Sequence, residues 1–362
     1  MKKYPTIEIF PVEATRSILE SKRDEREEFF VNLFEYCNLS CPFCWQDHDS
    51  KVGMDRIIPN AEILVSMLER QNVKAFDCNV MGGELFCDDI PDELFEDYRA
   101  FARIINNYAK PRGIEFTIGW VTNLVFSDND RVLSLVNDLR EEMDCRINTS
   151  YDPTGRFNAK TLALWLKNLE VYNDVMGDIS IVLTRPNIRA LLKDNDKVFK
   201  HIYENYRIYL DYYSPEKSAE IMAPSDTELL AIFHHLIDNY PEAGPVRDWI
   251  HQANNKMSCR SSKILLPTGE TSMCRKLAQA EGPEFIKDFK TPVTEESTQD
   301  NTVMEHSFLM ENYCLTCEYF QRCGLGCFLH SDYTKRIELD DCVFKMVFDY
   351  ITKGIKHDES NL

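Results

Sequence analysis

The stretch Cys37-Asn38-Leu39-Ser40-Cys41-Pro42-Phe43-Cys44 places three thiols at spacings of four and three residues, directly after the apolar run Phe29 to Phe34. Three clustered thiolates suit an iron–sulfur cluster, because such centres are held by cysteine sulfur and a cubane offers four iron corners. Three ligands leave one iron open. Taken alone the loop also fits a zinc knuckle or three buried core cysteines, and the residues downstream weigh against both.

Outward from this loop, strand-like and helix-like stretches alternate. Strands are predicted at Phe29 to Tyr36, Lys74 to Val80, Glu115 to Val121, Cys145 to Ser150, Asp178 to Leu183 and Arg207 to Tyr213. Helical patterns fall at about Asn60 to Arg70, Pro91 to Lys110, Arg131 to Glu142, Ala159 to Tyr172, Asn187 to Asn205 and Asp226 to Asn239. Six β-then-α units, their strands about 30 to 45 residues apart, imply parallel strands joined by helical crossovers. The second strand ends in Met81-Gly82-Gly83-Glu84. Glycines there let backbone approach a ligand, and the carboxylate can accept from an ammonium group.

After about residue 240 the pattern changes. Cys259, Gly269 and Cys274 read C-x9-G-x4-C, and Ile264 to Cys274 reads as a β-hairpin turning through Pro267-Thr268-Gly269-Glu270. A polar stretch from Glu281 to Asn312 reads as a loop, followed by Cys314-x2-Cys317-x5-Cys323-x3-Cys327 and then Cys342. A zinc ribbon accounts for four of these seven cysteines, but not for the upstream hairpin pair and the trailing cysteine.

CxxxCxxC with an aromatic residue before its third cysteine, followed by Gly-Gly-Glu at the end of strand two, resembles the radical S-adenosylmethionine (SAM) superfamily. The seven later cysteines resemble its SPASM domain, which holds two auxiliary [4Fe–4S] clusters. Together the resemblances cover residues from about 29 to 350. They imply an α/β fold: a partial (β/α)6 TIM-like barrel at 29–240 and a small cysteine-rich SPASM domain at 241–350, flanked by an N-terminal extension at 1–28 and a tail at 351–362. The implied cofactors are three [4Fe–4S] clusters and SAM.

Carried over by position, Cys37, Cys41 and Cys44 hold the cluster whose open iron chelates SAM. Cys314, Cys317, Cys323 and Cys342 hold the outer auxiliary cluster, and Cys259, Cys274 and Cys327 the inner one. The stretch before Cys259 has no cysteine, so the inner cluster's fourth ligand is left to His251 or to substrate. Phe43 backs the adenine, Gly82, Gly83 and Glu84 take the SAM amino group, and Ser150 and Asp152 the ribose. Thr122 and Asn123, at the end of strand three, fit the SAM site or serve as helix caps and turn residues. Arg185 fits the SAM carboxylate, the substrate or a plain surface position. Leu85 departs from the proline usual after this motif. Cys78 and Cys145, inside strands, read as buried small apolar residues. Cys87, Asp211 and Arg275 are the remaining candidates for catalysis.

The chain has 362 residues, a formal charge of −19 and 13 cysteines. That length suits one large domain plus a smaller one, and the acidic balance excludes a general nucleic-acid binder, which needs clustered Lys and Arg. No apolar run of about 18 residues and no signal peptide is visible, so a cytoplasmic protein without a membrane span is expected. An odd cysteine number in short spacings favours metal ligation over disulfides.

The resemblance implies reductive SAM cleavage with a ferredoxin or flavodoxin as electron donor. Three activities compete. The first is modification of a ribosomally made peptide or protein through a crosslink or thioether. The second is dehydrogenation, of a small molecule such as an aminosugar or in the manner of a sulfatase maturase. Maturases carry Asp directly after the hairpin's second cysteine, where this chain has Arg275. The third is a non-catalytic cluster scaffold, which has no need of a SAM site.

Overall fold

In the strand Ala75–Met81, Phe76, Cys78 and Val80 are buried while Asp77 and Asn79 are half-buried, the period-two pattern of a strand with one face on helices. A computed structural model of the chain describes residues 17, 20, 25–44, 46–213, 221–251, 262–272, 309, 313–324 and 342–359, the last five by backbone alone. Six strands carry the repeat: β1 (Arg26–Asn32), β2 (Ala75–Met81), β3 (Glu115–Thr122), β4 (Asp144–Ser150), β5 (Met176–Leu183) and β6 (Arg207–Tyr212). Neighbours in that series all pair in parallel. The crossovers are α1 (Ile57–Arg70), α2 (Asp92–Ala109), α3 (Asn129–Arg140), α4 (Ala159–Val171), then α5 (Arg185–Leu191) with α6 (Lys197–Asn205), followed after β6 by α7 (Asp226–Asn239) and α8 (Val246–Ile250). The result is the expected partial TIM-like half-barrel.

Three expectations shift. β1 begins at Arg26 rather than Phe29, because Arg26 and Glu28 fall on the face turned away from the helices, which is polar at its N-terminal end, where Arg26 pairs with Asp77 and Glu28 accepts from Asn79. The single helix expected at Asn187 to Asn205 is two, since Asp194 takes a left-handed φ of 51° and Asp196 caps a new helix by accepting from Val198 and Phe199 N–H. The hairpin β7 (Ser262–Leu265) and β8 (Thr271–Ser272) also joins the barrel's own sheet, whose order is β6-β5-β4-β3-β2-β1-β7-β8. β7 lies parallel to β1, with Glu28 opposite Ser262 and Val31 opposite Leu265. It covers an edge that would otherwise present unpaired backbone groups. At the other edge, Leu210 N–H donates to Gly244 O at 2.9 Å and Gly244 N–H to Ile208 O at 3.0 Å.

The inner face carries a polar ladder over its first levels, and above it Phe30 packs with Ile264 and Leu266. At its N-terminal end Arg26 pairs with Asp77 at 2.8 Å and donates to Thr117, Thr117 donates to Asp144, and Arg146 pairs with Asp144 at 2.7 Å. One rung up, Asn79 donates to Glu28 at 3.1 Å and Asn148 donates to Asn79 at 3.3 Å. Gly119 leaves room for this rung, because a Cβ there would stand 2.4 Å from Asn148 Nδ2 and 3.0 Å from Asn79 Oδ1 and would push the two amides aside. These pairs close the bottom of the half-barrel with charge, and the chemistry-bearing residues lie at the opposite end, where strands of such barrels deliver their loops.

The C-terminal helix α9 (Val343–Glu359) docks on α7 through aromatic contacts joining Phe344 to Phe233, Trp249 and Tyr212. Tyr319 stacks on Phe348 at 5.4 Å and donates to Asp349 at 2.8 Å. These contacts bring the turn carrying Cys314, Cys317 and Cys323 to the base of α9, where Cys342 sits. Among the described residues no helix is long and apolar enough to cross a membrane.

Candidate active site

The cysteine loop leaves β1 at its C-terminal end and is closed by Cys37 N–H donating to His48 O at 2.9 Å, with a turn at Cys44 N–H to Cys41 O, 3.0 Å. The Gly-Gly-Glu turn at the end of β2 is sewn to the strand leading into this loop. Gly83 N–H donates to Phe34 O at 2.9 Å and Glu84 N–H to Tyr36 O at 2.8 Å. Only glycine fits at 83, because a Cβ there would stand 2.0 Å from Glu35 O and 2.2 Å from Tyr36 O. An aromatic cluster underlies the turn. Phe86 meets Phe95, Tyr98, Trp120 and Phe126 with ring centres 5.8 to 6.2 Å apart, and Tyr98 donates to Leu85 O at 3.1 Å. Such buried rings make a rigid base for whatever rests on them.

Glu84 itself points inward. It is 0% exposed, and its carboxylate accepts from Phe86 N–H at 3.0 Å, Thr122 Oγ1 at 2.6 Å and the Asn123 backbone N–H. Burial pushes its carboxyl up to about 7, against the opposing pull of these three donors. The side chain thus locks the ends of β2 and β3 together, while Gly82 and Gly83 remain half-buried. Asn123 is carried with it, its amide donating to Asn38 Oδ1 at 2.8 Å and to Cys37 Sγ at 3.7 Å. Leu124 follows at a left-handed φ of 54°, with Asn168 holding Leu124 O and Phe126 O at 3.0 and 2.8 Å.

Asp152, after β4, is also buried. It accepts from Asn187 Nδ2 at 2.8 Å and Val182 N–H at 3.2 Å and pairs with Arg156 at 2.6 Å. Ser150 is half-buried at the end of β4. Cys37, Cys41, Cys44, Phe43, Gly82, Gly83, Glu84, Asn123, Ser150 and Asp152 therefore belong to one end of the half-barrel. Arg185 turns elsewhere, its Nε donating to Glu228 at 3.1 Å. Asp211 is half-buried on β6. Cys87 is buried beneath the loop, its thiol donating to Glu84 O at 3.6 Å, and burial raises it far above the ordinary thiol range. Cys78 and Cys145 are buried strand residues, as expected.

The thiols of Cys37, Cys41 and Cys44 are half-buried on one tight loop, and burial pushes Cys37 up to about 12, with Cys41 and Cys44 adding to the shift. An all-sulfur donor set of this kind fits an iron–sulfur cluster better than a hard cation. Among the described residues, no three His, Cys, Asp or Glu side chains are already drawn to metal-holding distance. Cys314, Cys317, Cys323 and Cys342 are likewise half-buried, and their turns are closed by Cys317 N–H to Cys314 O at 3.0 Å and Cys323 N–H to Tyr319 O at 2.8 Å. His251 ends α8, exposed, with Nε2 3.8 Å from Glu242. Cys259, Cys274, Arg275 and Cys327 lie outside the described residues.

Two residues central to this geometry carry no sequence motif. Thr122 reads equally as a cap, and Arg156 reads as one more arginine in a loop. Its only signal is the i,i+4 spacing from Asp152.

No protein-family model matches the chain, and no curated protein matches it. Solved structures do. Native anSMEcpe with bound AdoMet and Cp18Cys peptide aligns at a TM-score of 0.63 and 15% identity, over 92% of this chain and 99% of that one. Native anSMEcpe with bound AdoMet gives 0.63 at 16% identity, over 92% and 100%. Streptococcus suis SuiB bound to S-adenosylmethionine gives 0.50 at 14% identity, over 88% and 77%. At these identities the likeness is one of fold.

Proposed function

We propose that this chain is a radical SAM enzyme of the SPASM type that acts on a ribosomally made peptide or protein, forming a crosslink or thioether. The observation that carries this reading is the seam between two motifs. The loop bearing Cys37, Cys41 and Cys44 is hydrogen-bonded through Phe34 and Tyr36 to Gly83 and Glu84, in a half-barrel aligning along nearly its whole length with AdoMet-bound structures. Cys37, Cys41 and Cys44 would hold a cluster that, when bound, would supply the single electron for reductive cleavage of SAM and so the means of abstracting hydrogen from substrate. The chain's own residues bind and orient. Gly82 and Gly83 offer backbone to the SAM amino group, Glu84 fixes that backbone from beneath, Phe43 and Ser150 border the same end, and Asn123 donates toward Cys37. A peptide substrate is the reading adopted, since one of the structures that share this fold, anSMEcpe, is bound to AdoMet and Cp18Cys peptide. A low-potential ferredoxin or flavodoxin is the proposed donor, and the later cysteines hold two further clusters.

Anaerobic reconstitution of the full chain tests this. About twelve iron and twelve sulfide are expected, four per cluster, and SAM should give 5′-deoxyadenosine under dithionite. In Cys41→Ala the nucleoside should vanish while the auxiliary clusters stay. Stoichiometric zinc with little iron, or cleavage that persists in Cys41→Ala, overturns the reading.

A further inference from the structure

The structure packs Arg156 against the cysteine loop. It lies between β4 and α4, and its Nε donates to Asp152 at 2.6 Å. The Asp152 side chain is fully buried and is itself held by Asn187 and Val182 N–H, so the guanidinium cannot swing away without stranding a buried carboxylate. Its Cζ stands 5.4 Å from the centre of the Phe43 ring, the residue before Cys44. Gly155 backs the same contact: its φ is +83°, and a Cβ there would lie 3.1 Å from Pro42 Cγ.

We propose that Arg156 is a positioning residue that holds a permanent positive charge on the Cys41–Cys44 side of the loop and thereby raises the reduction potential of a cluster bound by Cys37, Cys41 and Cys44. The inference rests on the iron–sulfur reading of that loop. On reduction the cluster takes one electron from a low-potential donor, here dithionite, and gains one negative charge with no bond made or broken. A fixed cation nearby stabilises the more negative state. Arginine suits the task because it stays charged and stacks on an aromatic ring.

Potentiometric EPR of the anaerobically reconstituted full chain reads this directly, following the signal that shifts on adding SAM and is absent from Cys41→Ala. R156Q should make reduction roughly tenfold harder, 59 mV for a one-electron couple, with iron and sulfide unchanged. R156K, which keeps the charge, should stay within about threefold of wild type. D152N removes the neighbouring negative charge and should shift the potential upward, an independent arm should R156Q not retain iron. A D152N potential at or below wild type, or equal shifts in R156Q and R156K, overturns the proposal. A wild-type chain that loads zinc in place of iron overturns the cluster reading instead, and so separates the two failures.

Discussion

The Thr122 hydroxyl donates to the Glu84 carboxylate at 2.6 Å, joining the C-terminal ends of β3 and β2 within a buried patch. Thr122→Val leaves that oxygen with only the Phe86 N–H and should cost about 1–3 kcal/mol. Glu84→Ala strands all three donors and should cost more. Urea unfolding checks both, as a lowered midpoint at unchanged slope. Equal costs would mean that Thr122 contributes all that Glu84 does, and that the two backbone donors are satisfied by other means.

Glu84 also makes stability depend on pH. Its folded value near 7 lies above the ordinary 4.5, so the native state holds the extra proton between those limits and stability falls as pH rises through that window. The contribution lost is on the order of 3 kcal/mol. Glu84→Gln cannot ionise, so the wild type should lose ground to it between about pH 5 and about pH 7.5. A difference constant with pH would place the Glu84 carboxyl at its ordinary value.

Gly83→Ala should be damaging, because its Cβ meets backbone carbonyls of Glu35 and Tyr36 rather than a yielding side chain. A loss of about 1–3 kcal/mol is expected, together with poorer iron loading as the cysteine loop parts from the β2 turn. Gly354→Ala is the internal control. It lies in α9 with nothing within 4 Å, and should stabilise by up to about 1 kcal/mol. Thermal melts of the two variants should therefore move in opposite directions.

Asn123→Ala removes a donor aimed at Cys37 Sγ and Asn38. Hydrogen bonds to charged groups are worth about 1.5–3 kcal/mol, so a chelator should strip iron from the reconstituted variant at least roughly tenfold faster. Asn123→Asp, which turns a carboxylate toward the thiolate, should be worse still. Wild-type release rates in both would detach Asn123 from the cluster loop.

Six parallel β-then-α units and the three-thiol loop were legible in the sequence alone, because periodicities of two and 3.6 and short cysteine spacings are properties of contiguous residues. That is why the sequence pattern puts β5 at Asp178 to Leu183 and α7 at Asp226 to Asn239, where the structure has Met176–Leu183 and Asp226–Asn239. Only the tertiary structure decided that Ser262–Leu265 pairs with β1, that Glu84 turns inward to Thr122 and Asn123, that Arg185 turns to Glu228, and that Arg156 stands over Phe43. Each depends on which strand ends become neighbours and in what register. Thr122 reaches Glu84 across 38 residues of sequence and Lys263 reaches Glu27 across 236, separations that local patterning does not encode and that parallel pairing of the sheet alone brings within a hydrogen bond.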